Sequence, residues 1–161
     1  MKPKPPIHLL LRFSDTLLKT GDTIDEHNQV VESEGSVWFG KMGSTVSQSQ
    51  IDVLNGQVQD AIPTYVCLVK GNRRKSAAFR GRLVLASKTL PKGEENRVPS
   101  YYTDLSIPRY VKFWVKLTKI VPIDSADLNM MQVASSVLPI RETLFRSSSG
   151  HFFLCEDRLS Y

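Results

Sequence analysis

The groups in this sequence that could do chemistry are aromatic rings and fixed cations, and the chemistry they suit is binding. Trp38 stands in Ser36-Val37-Trp38-Phe39-Gly40-Lys41-Met42-Gly43, where an apolar strand runs into a loop bracketed by glycines. A flat ring at a strand end can wall a pocket, and glycine lets backbone approach whatever occupies it. The ordinary alternative is a tryptophan in the core. A second feature is charge. Lys70, Arg73, Arg74, Lys75, Arg80 and Arg82 give six cations in thirteen residues with no acid among them. They surround Gly71-Asn72-Arg73-Arg74-Lys75-Ser76, which reads as the tip of a β-hairpin. A solvated charged loop is the simple reading, and contact with phosphates is the functional one.

Other chemistries find little support. His8, His27 and His151 are far apart, and Cys67 and Cys155 form no C-x-x-C pair, so no metal-ligand motif and no cofactor is expected. Ser147-Ser148-Ser149-Gly150-His151 sets hydroxyls beside an imidazole, but without a G-x-S-x-G elbow it reads as a turn into a last strand. Glycine signatures for dinucleotides and for nucleoside triphosphates are missing. No catalytic residue is assigned, and the expectation is a protein that is not an enzyme.

The elements that must position these groups follow from pattern. Ile7–Phe13 is apolar and strand-like, and Asp22 or Thr23 can cap a helix that Gly35 ends. A strand through Val37–Phe39 leads to a second helix, capped by Ser47 and running to Gly56. Strands are expected at Thr64–Val69, Phe79–Ser87 and Tyr110–Ile120, which are rich in Val, Tyr, Phe, Trp and Leu, with Trp114 assigned to the core. Asp124 is expected to open a helix through Met131, and His151–Cys155 to form a closing strand. Strands outnumber helices without regular βαβ alternation. The fold class is therefore α+β, a curved mixed sheet or barrel with flanking helices.

Length and composition agree with one domain over residues 1–161, with a flexible start at 1–6. The chain has 161 residues, 41% hydrophobic and 23% charged, enough for a core without disulfide or metal staples. No apolar run reaches the roughly 20 residues of a membrane span, and Met1-Lys2-Pro3-Lys4-Pro5-Pro6 lacks a signal-peptide core. A cytoplasmic protein with reduced, structural cysteines is expected. A net charge of +5 and a pI near 9.3 favour a polyanionic partner over a membrane.

The order of these elements resembles a known group. Leu9-Leu10-Leu11-Arg12-Phe13-Ser14, a helix, and Val37-Trp38 before a loop of small residues look like the opening of YTH domains and their prokaryotic EVE relatives, in the PUA-like superfamily. The run Tyr110–Pro122 resembles the aromatic strand of those families that ends in an apolar-Pro step, and Ser149-Gly150-His151-Phe152-Phe153 is similar to their glycine- and aromatic-rich strand entries. The resemblance extends from about Ile7 to Asp157 and includes the N-terminal modified-DNA-binding domain of McrB-type restriction proteins.

What this resemblance implies is a PUA-like fold that reads a modified base. Trp38 would form one wall of an aromatic cage around a flipped base, either N6-methyladenine or a modified cytosine. The loop Val98–Asp104 would supply the second, with Tyr101 or Tyr102 where YTH domains often carry tryptophan. Flanking rings can return about 1–3 kcal/mol of unstacking cost per base. Tyr102 is preferred over Tyr101, because neighbours in an extended segment face opposite ways and Tyr102 lies beside Thr103-Asp104. Asp104 would accept from an exocyclic amine, while Phe39, its backbone and Ser14 complete the base site. Arg12, Lys41, Arg73, Arg74, Lys75, Arg141 and Arg146 are the expected phosphate contacts. Modified DNA is the preferred partner; the alternatives are modified RNA, or an enzyme or sensing domain that uses the same cavity on a free nucleotide or small molecule. A restriction ATPase or nuclease is the expected associate.

Overall fold

Strand-forming residues in this chain build one open sheet, described in a computed structural model for residues 5–15, 18, 22–71, 76–124, 127–128, 131–133 and 151–156. The strands are β1 (His8–Phe13), β2 (Val37–Met42), β3 (Tyr65–Gly71), β4 (Ser76–Ser87), β5 (Val111–Leu117), β6 (Val121–Ile123), β7 (Met131–Val133) and β8 (His151–Glu156). Their order is β2-β5-β4-β3-β1-β8-β7, with β6 branching onto β4. The β1–β3 pair is parallel, with Leu10 opposite Cys67, and the other pairs are antiparallel.

β1 reads as an unbroken apolar run because both of its faces are covered. Leu9 and Leu11 enter the main core with Ile24, Ile51, Leu54, Leu68, Phe113 and Val115, while Leu10 packs on the other side with Cys67, Val69, Leu128 and Leu154. β4 curves the sheet. Its first half pairs with β3 and β6, its second half with β5, and the register shifts between Leu83 and Leu85. Gly81 sits at the crossing, where a Cβ would lie 3.3 Å from Leu117 Cβ and 3.4 Å from the Thr118 carbonyl.

Two helices cover the main core. In α1 (Thr23–Glu34) the Asp22 carboxylate accepts from Ile24 N–H at 2.8 Å and Asp25 N–H at 3.2 Å, and Gly35 closes the helix at φ 84°. α2 (Gln48–Gln59) opens with a capping box, Ser47 and Gln50 each bonding the other's backbone N–H. Amide side chains fasten both helices to the sheet. Asn28 holds the N–H and C=O of Ile120, Asn55 those of Ala86, and Gln57 those of Ile7, at 2.8–2.9 Å throughout. No helix among the described residues is long and apolar enough to cross a membrane.

The remaining segments depart from the sequence reading. Ser100–Asp104, expected to be extended, is a short helix, α3, and Ile107–Tyr110 is a 3₁₀ turn. Tyr101 and Tyr102 are thus successive helical positions. The aromatic strand ends at Leu117 instead of Ile120. β6 carries Pro122, which has no N–H to donate and is tolerated on a short branch strand. Met131, expected in a helix, opens β7.

Candidate functional site

Where β1, α1, β2 and α3 meet, they leave a cleft of about 450 Å³, lined by Arg12, Phe13 and Ser14 at the end of β1, Thr23 at the start of α1, Phe39–Met42 in β2, Tyr101 and Tyr102 in α3, and Ile107. Its size is in the range of small-ligand sites. Arg12 and Lys41 are the charged side chains among these lining residues, and both are cations. Lys41 Nζ donates to the Arg12 carbonyl at 2.8 Å, tying β2 to β1. Burial, and then the neighbouring Arg12 guanidinium, hold the Lys41 ammonium below its usual pKa, and burial lowers that of Arg12. His151, half-buried on β8, is shifted down by burial and then by Lys41.

Aromatic rings form the apolar part of the cleft. Phe13 and Phe39 meet edge to face at 6.2 Å, Tyr101 lies 4.8 Å from Tyr102, and the buried His27 ring sits 4.8 Å from Phe39. Phe39 is 4% exposed and Tyr102 3%, while Phe13 and Tyr101 are half-buried and offer the larger accessible surfaces.

Beneath the cleft runs a hydrogen-bonded chain whose polarity follows from its partners. His27 Nδ1 stands 2.7 Å from the Thr23 carbonyl, which can only accept, so Nδ1 carries the proton. Full burial depresses the imidazole pKa to about 4, and Nε2 is therefore a bare acceptor at neutral pH. The Tyr102 hydroxyl donates to it at 2.9 Å and accepts from Gly40 N–H at 3.1 Å. Burial pushes the Tyr102 phenol well above its usual range and that of Tyr101 up to about 12, so both remain hydroxyls. Gly40 has to be small. A Cβ there would lie 2.8 Å from Val111 Cγ2 and 3.1 Å from both Trp114 Cζ3 and Tyr102 Cε2.

Of the residues singled out in the sequence, Arg12, Ser14, Phe39, Lys41, Tyr101 and Tyr102 come together around this cleft. Trp38 does not. It is 0% exposed and packs with Tyr102, Ile107 and Trp114 on the opposite side of β2 from Phe39, with Lys116 Nζ 5.7 Å above its ring. Alternation puts Trp38 on the face of Gly40, and there it packs with Tyr102, Ile107 and Trp114 and keeps no exposed surface. Asp104 is exposed at the end of α3, away from the cleft lining. Arg73, Arg74, Lys75, Arg141 and Arg146 fall outside the described residues. The sequence reading missed Phe13, Thr23, Met42 and Ile107 as lining residues, and His27 behind them. Phe13 was signalled by its place between Arg12 and Ser14, both assigned to the site. Cys67 is buried with its thiol pushed up to about 11, as befits a packing role.

No group of three or more His, Cys, Asp or Glu side chains among the described residues is placed to hold a metal ion. No curated protein and no solved structure matches the chain. The mixed open sheet, its few helices and the cleft between them accompany a match to the family model described as Pua-like over residues 9–158, and the chain belongs to that family.

Proposed function

We propose that the protein is a non-catalytic reader of modified nucleic acid that takes one unstacked base into the cleft. PUA-like membership suggests an RNA- or DNA-binding domain. The observation that carries the reading is the lining itself, where aromatic rings accompany Arg12 and Lys41 and, among the described lining residues, there is no carboxylate. Rings suit the faces of a base, and the two cations suit its phosphate.

In this reading the cage differs from the one implied by the YTH resemblance. Phe13 and Tyr101 are the accessible walls, with Phe39 buried beside them, and Trp38 supports the cage from within the cluster of Tyr102 and Ile107 on which Tyr101 packs. Asp104 lies outside, so the base edge meets the hydroxyls of Ser14, Thr23 and Tyr101 and the backbone of β2. The preference for DNA, and a role as specificity module of a modification-dependent restriction system, rest on the similarity to EVE and McrB-type domains. Arg73, Arg74, Lys75, Arg141 and Arg146 are proposed as further phosphate contacts.

The test is a binding panel of single-stranded DNA and RNA nonamers with a central unmodified base, N6-methyladenine, 5-methylcytosine or 5-hydroxymethylcytosine. Tighter binding of one modified nonamer, with affinity falling steeply as salt rises, supports the reading. Equal affinity across the panel overturns modification reading, and no binding to any nonamer overturns nucleic-acid binding altogether.

A further inference from the structure

The cleft is proposed to take one base, and the chain that lines it also carries an exposed aromatic ring outside the lining, Tyr110. Tyr110 is 54% exposed, the highest value among the large hydrophobic residues described. Its position is set by the fold. Ile107, three residues earlier, is 4% exposed and lines the cleft, and Val111, the next residue, pairs with Met42, which also lines it. Both sides of Tyr110 in the chain are thus pinned to cleft residues. The intervening turn is stiff, with Pro108 in its first positions and Val111 N–H bonded back to the Pro108 carbonyl.

The ring is also prepared on one side. The Arg109 guanidinium lies over it at 4.9 Å from the centroid and donates to its hydroxyl at 2.8 Å. A guanidinium stacked in this way fixes the ring and adds positive charge beside it. Lys112, two residues on, is exposed. A flat exposed ring with cations beside it, in a turn whose flanking residues reach the cleft, is complementary to an unpaired nucleotide, whose base can stack while its phosphate meets Arg109 or Lys112.

We propose that Tyr110, backed by Arg109, is a stacking platform for the nucleotide adjacent to the one held in the cleft. This rests on the nucleic-acid reading above and extends it from one nucleotide to two. It gives the loop after α3 a direct part in binding. Stacking alone distinguishes bases weakly, so the platform adds affinity and tolerates different neighbours.

The experiment uses the tightest-binding nonamer of the panel, together with two versions in which the nucleotide on the 5′ or the 3′ side of the central base is replaced by an abasic residue. Tyr110→Ala is expected to weaken binding of the intact nonamer about 5- to 150-fold, the range of one base stack. On one of the abasic nonamers the same substitution should have no effect, because the stacked base is already gone. Tyr110→Phe keeps the ring and should bind like the wild type, which separates stacking from any disturbance of the turn. Equal losses on intact and both abasic nonamers, or unchanged affinity for the intact one, would overturn the platform while leaving the cleft reading intact. If the wild-type protein binds no nonamer, the cleft reading fails and the platform with it.

Discussion

The Tyr102 hydroxyl and His27 Nε2, separated by 75 positions in the chain, meet at 2.9 Å and lock α3 onto α1 beneath the cleft. The same hydroxyl takes the Gly40 N–H, so one phenol joins a helix, a strand and a short helical turn. The lining residues Tyr102 and Gly40 are therefore held in place from behind by His27, which does not itself line the cleft.

Acidification should loosen this arrangement. Above pH 6.5 both the folded and unfolded His27 are neutral. Between pH 6.5 and the folded value near 4, the unfolded imidazole binds a proton that the buried ring refuses, so stability falls as pH falls. The loss is about 1.4 kcal/mol per pH unit, roughly 3 kcal/mol in all. Urea unfolding from pH 7 to 4 should show it, and His27→Gln should have a shallower slope over the same window. Parallel slopes for the two proteins would show that other groups govern the acid limb.

Removing the phenol oxygen should cost stability without opening a cavity. Tyr102→Phe leaves Gly40 N–H and His27 Nε2 without their partner in a buried setting, at about 1–3 kcal/mol. The midpoint of urea unfolding should drop while its slope is unchanged.

Gly40→Ala should be destabilising although the strand has room for alanine on general grounds. The added methyl meets Val111, Trp114 and Tyr102, and overpacking of this kind costs about 1–3 kcal/mol. A melting temperature equal to that of the wild type would show that these three side chains can move aside.

Trp38 and Tyr101 should behave in opposite ways. Trp38→Ala removes a fully buried ring and should destabilise by about 3–5 kcal/mol. Tyr101→Ala removes a half-buried cleft wall and should lower selectivity for the preferred modified nonamer while the protein stays folded, as read by circular dichroism and fluorescence anisotropy together. A well-folded Trp38→Ala protein that has lost selectivity would return Trp38 to the cage.

Much of the scaffold was legible because local signals agreed. Asp22, Gly35 and Ser47 mark helix ends by mechanisms that need no tertiary context, and β1, β3 and the second half of β4 are apolar enough to read directly. The facing of Trp38 was not legible. Val37, Trp38 and Phe39 are buried on both faces of β2, so alternation carries no contrast between inside and outside. The helix at Ser100–Asp104 was hidden for a different reason. It is five residues long, has no side-chain cap, and is held by Tyr102 and the turn after it, contacts that a local pattern does not contain. His27 reads as one more polar residue of an amphipathic helix until α3 and β2 close over it.

The amide clamps have a consequence for how this sheet meets other molecules. Where Ala86 turns its N–H and C=O away from β5, Asn55 supplies the donor and acceptor that a neighbouring strand would have brought, and Gln57 does the same for Ile7 just before β1. Each amide acts as a one-residue imitation of a strand. Unpaired edges invite other chains to add on, and these plugs close two such openings without lengthening the sheet. The bonds to Ala86 and Ile7 all end on backbone, so each seal is carried by the main chain and not by the side chain at that position.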